Sequence, residues 1–136
     1  MKDRVGLWID HKKAIIVKNN ELITVVSNLE DVIRSDGSQF GKTTHGERDF
    51  PKEDQLDRHI MDHLNKFYLE ICEHLGKTSS IVIMGPGEAK FELEKILAHA
   101  GLKQNIRGIE KADKLTDRQI AARVREFYSN KHLSTS

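Results

Sequence analysis

Three acidic residues stand where strands are expected to end: Asp10 after Val5-Gly6-Leu7-Trp8-Ile9, Glu88 after Ile81-Val82-Ile83-Met84, and Asp113 after Asn105-Ile106-Arg107-Gly108-Ile109. Carboxylates at such points serve two-metal nucleases when several of them converge on ions about 4 Å apart. Asp10 suits a hairpin turn equally well, because an aspartate side chain bonds backbone amides shortly after it. His59 and His63, four apart on a helical stretch, have the spacing to share zinc from one face. No glutamate follows His59 directly and no third ligand is evident, so the pair reads as surface or boundary histidines and no metal is assigned. Gly85, Gly87 and Lys90 form a candidate anion-binding turn ahead of a helix, where backbone N–H groups and the helix dipole favour negative charge. Pro86 has no N–H to offer, and the pattern is neither a P-loop nor a dinucleotide fingerprint, so a plain structural turn is the simpler reading. No catalytic residue and no cofactor is assigned.

A second group lies between two periodic segments. From Ser35 to Asp49 apolar periodicity disappears, and Gly37, Ser38, Gly41, Thr43, Thr44 and Gly46 dominate. So long a loop in so small a domain is either functional or a solvated insertion, and a flexible loop is expected over 35–49. Its candidate RNA-binding residues are Arg34, Gly37, Ser38, Gln39, Lys42, Arg48 and Lys52, with Asp36, Glu47 and Asp49 offsetting the bases. Such a segment orders on phosphates at an entropic cost, which makes binding modest and salt-dependent.

The positioning elements follow from hydrophobic pattern. Val5–Ile9, Ala14–Val17 and Leu22–Val26 are β-rich runs that predict an antiparallel meander, with Asn19-Asn20 able to take the positive φ of a tight hairpin. Leu56, Ile60, Leu64, Phe67, Ile71 and Leu75 recur at helical spacing and Gly76 ends the stripe. Ile81-Val82-Ile83-Met84 has no polar alternation, which predicts a central strand covered on both faces. Phe91, Leu93, Ile96 and Leu97 mark another helix, and a weaker strand follows at Asn105–Ile109. Thr116 with Gln119 is a capping box, and Leu115 with Ile120 a hydrophobic staple, opening a last helix whose buried stripe ends at Tyr128. The expected architecture is α/β: a mixed sheet of about five strands, an antiparallel meander plus parallel strands, with packed helices. One domain over 1–128 is expected, with a frayed tail at 129–136.

Composition bounds the partners. The chain has 136 residues, room for one core. A charged fraction of 32% with a formal charge of only +1 excludes a protein that grips nucleic acid by overall charge, and leaves room only for a local patch. The single Cys72 has no internal disulfide partner and sits in a helical pattern as a small hydrophobe. The start of the chain resembles neither a signal peptide nor a membrane span, so a cytoplasmic location without membrane contact is expected. Oligomeric state is not legible.

Element order and three stretches carry a resemblance. A meander opening on Trp8-Ile9-Asp10-His11, a loop with Gly37-Ser38-Gln39 before a long helix, and Ile81-Val82-Ile83-Met84-Gly85-Pro86-Gly87 after it resemble the middle domain of Pelota and the eukaryotic class I release factors. Gly85 to Lys90 and Ala112 to Gln119 are similar to small bacterial proteins of that superfamily. The resemblance implies an RNase H-like, translational-machinery-component architecture and a ribosome or tRNA as partner. Release factors carry Gly-Gly-Gln in the corresponding loop; here Ser38 replaces the middle glycine, and its Cβ restricts the backbone. A translation-associated binding module without an intact peptide-release motif is therefore expected, the alternative being a hydrolase acting on RNA or a peptidyl-tRNA ester.

Overall fold

The computed structural model describes residues 4–31, 33, 52–76 and 78–135. Strands β1 (Arg4–Ile9), β2 (Lys13–Lys18) and β3 (Glu21–Val26) are followed by helix α1 (Lys52–Leu75), strand β4 (Ser80–Gly85), helix α2 (Ala89–His99), strand β5 (Ile106–Lys111) and helix α3 (Asp117–Thr135). The sheet order is β3-β2-β1-β4-β5. β2 is antiparallel to both its neighbours, while β1, β4 and β5 run parallel. This is the mixed five-stranded α/β architecture, antiparallel meander plus parallel strands, expected from the pattern. The parallel strands share a carboxyl rim, where they end, and an amino rim, where they begin.

Local chemistry sets the turns. Asn19 and Asn20 take φ of 53° and 67°, the left-handed pair that a tight hairpin requires, and bring Lys18 opposite Glu21. Asp10 shapes the β1–β2 turn by accepting from the amides of Lys12 at 2.8 Å and Lys13 at 2.9 Å. Gly76, at φ 58°, stops α1 and donates its N–H to Cys72. The capping box of α3 is reciprocal: Thr116 N donates to Gln119 Oε1 at 2.8 Å and Gln119 N to Thr116 Oγ1 at 3.2 Å. Leu115 and Ile120 both join the apolar cluster beneath α3. The backbone of α3 runs on to Thr135, beyond Tyr128, where sequence pattern placed a frayed tail. No glycine or proline follows Tyr128, so nothing in the backbone chemistry stops the helix there.

Alternation along the central strands splits the core in two. Val5, Leu7, Ile9, Ile81 and Ile83 face α1 and α2, whose Leu64, Phe67, Ile71, Leu93 and Leu97 cover them. Trp8, Val82 and Met84 face the other way, under Ile120, Val124 and Phe127 of α3. Ile81, Val82, Ile83 and Met84 are all fully buried, so β4 is the two-faced central strand that its unbroken apolar run predicts. At about 1.5–3 kcal/mol for each large side chain removed from water, this strand holds the two layers together. Cys72 is half-buried against the same core, and burial pushes its thiol up, away from the reactive thiolate form. Among the described residues no helix is long and apolar enough to cross a membrane.

Candidate functional site

Ligands of open α/β sheets gather at the carboxyl ends of parallel strands. Here that rim brings together the β1–β2 turn, the end of β3, the Gly85-Pro86-Gly87 turn and the start of α2. Gly85 is required for the closeness of β4 to β1, because a Cβ there would lie 2.1 Å from the Ile9 carbonyl oxygen. Its own carbonyl accepts from Ala112 N at 3.0 Å, which ties the segment after β5 to the same rim.

A polar cluster that sequence pattern did not reveal occupies the rim. Tyr68 on α1 donates its hydroxyl to Glu92 Oε1 on α2, and His11 Nε2 lies 3.0 Å from the same oxygen. A carboxylate only accepts, so Nε2 carries the proton and Nδ1 of a neutral His11 ring is left as an acceptor. Tyr68 is only 1% exposed; burial foremost, then its bond to Glu92 and that group's charge, hold the phenol far above the usual tyrosine range. The backbone of His11 is fixed as well, since its carbonyl accepts from the Ser27 hydroxyl at 2.6 Å. His63 bonds the Ser27 carbonyl through Nε2, fastening α1 to the end of β3. One signal was available: Tyr68 follows Leu64 by four residues on the buried stripe, and a buried tyrosine hydroxyl needs a polar partner.

The residues singled out by type and spacing fare differently. Asp10, Glu88 and Asp113 stand at the rim, but among the described residues no group of three or more His, Cys, Asp or Glu could hold a metal ion. Asp10 is engaged in its own turn, Glu88 is exposed, and Asp113 contributes its carbonyl to the Trp8 indole N–H at 3.0 Å. His59 is exposed and His63 is turned to Ser27, so the two do not form a ligand pair. Of the candidate anion turn, Gly87 is exposed with open space around it, whereas Lys90 is 6% exposed and folds back to donate to the Gly87 carbonyl. Its ammonium also lies 4.6 Å from the Phe91 ring centroid. Arg34, Gly37, Ser38, Gln39, Lys42 and Arg48 lie outside the described residues, as does the expected flexible loop at 35–49; Lys52 opens α1. Beside the β1–β2 turn, a shallow cleft of about 200 Å³ is lined by Lys12, Val26, Asn28, Leu29, Glu30 and Asp31. Lys12 and Glu30 pair at 2.9 Å along it, both well exposed.

Helix α1 fixes where the candidate segment returns to the fold. Its His63 meets the carboxyl rim and its His74 carbonyl accepts from Lys18 Nζ near the amino rim. A helix of 24 residues is about 36 Å long against about 20 Å for a six-residue strand. The first turns of α1 therefore overhang the carboxyl rim and carry Lys52 past it.

Charge is segregated. Over β5 and α3 with their connection, residues 106–135, seven bases stand against four acids; along α1 three bases stand against six acids. The overall charge of +1 hides an acidic α1 and a basic β5-to-α3 segment.

No protein-family model and no curated protein matches the chain.

Proposed function

We propose that the chain is a translation-associated binding module of the Pelota and release-factor type, contacting a ribosome or tRNA without an intact peptide-release motif. The observation that carries the reading is the separation of charge: a nearly neutral molecule presents an excess of bases over β5 and α3, the local patch that a polyanion needs. The mixed five-stranded sheet agrees with what the resemblance implies, and the first turns of α1, opening at Lys52, overhang the carboxyl rim. Arg34, Lys42, Arg48 and Lys52 supply phosphate contacts there, with Gly37, Ser38 and Gln39 beside them. Four such contacts give a slope of about −3 in log affinity against log salt. The test is sedimentation of the purified chain with ribosomal subunits, together with tRNA binding as salt is varied. Co-migration at low salt, weakened by Lys42→Ala with Arg48→Ala, is expected. Absence of any binding to subunits or tRNA at low salt overturns the proposal.

The hydrolase alternative draws on one observation, the His11 ring oriented by Glu92 with a nitrogen left as acceptor. In that reading His11 takes a proton from water attacking an ester or phosphodiester. Hydrolysis of peptidyl-tRNA or RNA by purified protein, abolished by His11→Gln with the fold intact, would establish it.

A further inference from the structure

We propose that Arg4 and Arg107, which flank Ser80 at the amino rim, form a phosphate-binding site, and that its ligand is a backbone phosphate of RNA. The site lies at the opposite end of the sheet from the segment treated above. The phosphate chemistry stands on the geometry of this rim; the choice of RNA as its source rests on the proposed function.

The platform is built from α3. Gly108 of β5 lies beneath Phe127, where a Cβ would sit 2.9 Å from the ring, so strand and helix are pressed together. Tyr128 meets Phe127 edge-on, with centroids 5.2 Å apart at 88°, and its hydroxyl donates to the Val5 carbonyl at 2.7 Å. Ring and hydroxyl are both held. The Arg4 guanidinium lies 5.9 Å from the centre of that ring, a cation–π approach that uses its face and not its N–H donors.

Arg107 reaches the same place because the β4–β5 ladder is irregular. Ile81 pairs with Ile106 and Val82 with Gly108, so Arg107 is the extra residue of a bulge, a device that re-aims a side chain. Its Nε points to the Ser80 hydroxyl at 3.4 Å. Ser80 is itself the strand partner of Arg4. The two arginines thus flank one serine across three adjacent strands, about 10 Å apart at the backbone, a span that two long side chains close on a single tetrahedral anion. Burial foremost raises the Tyr128 phenol, and the charges of Arg107 and Arg4 draw it back down. Neither arginine has a carboxylate partner among the described residues. Two like charges flanking one serine, with no carboxylate paired to either among the described residues, suit an anion that is acceptor-only and doubly gripped.

The test is a ¹⁵N NMR titration that follows the Nε–H signals of Arg4 and Arg107, with inorganic phosphate in one arm and a short single-stranded RNA in the other. Both signals are expected to shift in both arms. The double variant R4Q/R107Q should bind the RNA about ten-fold more weakly and flatten its salt slope by about one, since one phosphate contact is lost. Ser80→Asp keeps both arginines and supplies an internal carboxylate, so it should displace phosphate with the rest of the spectrum preserved. Unmoved arginine signals in both arms overturn the site. RNA binding indifferent to R4Q/R107Q overturns the site's role in RNA contact and leaves the translation reading standing. Shifts with phosphate but none with the RNA support a phosphate site and overturn RNA as its ligand, while sedimentation with ribosomal subunits and tRNA binding decide the translation reading separately.

Discussion

Both rims of the sheet carry charged groups, and they handle them in opposite ways. At the carboxyl rim Asp10 accepts from its own turn, Glu92 from Tyr68 and His11, and Lys90 donates to the carbonyl of Gly87. At the amino rim the tyrosine hydroxyl is satisfied by backbone, one guanidinium lies over its ring and another beside Ser80, neither paired with a carboxylate among the described residues. Strand-end position alone therefore does not identify a ligand site. What distinguishes the rims is whether the charged groups already have partners, and at the carboxyl rim those partners tie α1, α2 and the first hairpin to one another.

The comparison is broken most forcefully at Gly85. A valine there drives its Cβ into the Ile9 carbonyl and should cost about 3 kcal/mol, read as a lower midpoint in denaturant unfolding. A wild-type midpoint would mean that the close approach of β4 to β1 relaxes freely. Next come the two tyrosines. Tyr68→Phe removes the donor from a carboxylate that is part-buried and should cost about 2 kcal/mol; Tyr128→Phe removes a neutral bond and should cost about 1 kcal/mol. Equal losses would erase the distinction between a charged and a neutral acceptor.

The same pair makes a pH prediction. Both phenols are raised in the fold, Tyr68 and Tyr128 alike chiefly by burial, so the folded state holds their protons more tightly than the unfolded chain does. Their contribution is complete below the unfolded value of about 10 and is lost as pH climbs above it. Unfolding free energy should fall steeply above that pH, and less steeply in Y68F/Y128F; parallel curves for the two proteins would refute the linkage. A smaller effect is expected at the capping box that starts the helix carrying Tyr128, where Thr116→Ala should cost about 1 kcal/mol. The smallest is at the Arg123–Glu110 pair, 3.8 Å apart and part-exposed, where Glu110→Gln should change stability by less than about 0.5 kcal/mol.

How much of this was legible in the sequence follows from chain separation. The capping-box partners are three positions apart, the Asn19-Asn20 turn is adjacent, and Ile81 to Met84 is one run; each is fixed by local chemistry and each is found as read. Tyr68 and Glu92 are 24 positions apart, His11 and Glu92 are 81, and Tyr128 and Val5 are 123, so only the topology joins them. Lys90 shows the limit from the other side. Its type and place suggested an anion, yet a flexible ammonium beside a carbonyl one turn back satisfies itself first. Charge summed over the chain was equally uninformative, because segregation onto α1 and onto β5 with α3 cancels in the total.

The parallel pairing of β1 with β4 also has a kinetic consequence. The hairpins that join β1, β2 and β3 close over two or three residues and form on the microsecond scale. β4 reaches β1 only after the chain has looped through all of α1, and that closure entropy is met before any contact between the two strands compensates for it. Until then one side of β1 stands as an open strand edge flanked by Leu7 and Trp8, a template for pairing with a neighbouring chain. The vulnerable species in refolding at high concentration is accordingly a formed meander awaiting its central strand, and aggregation should compete with that step rather than with the closing of the hairpins.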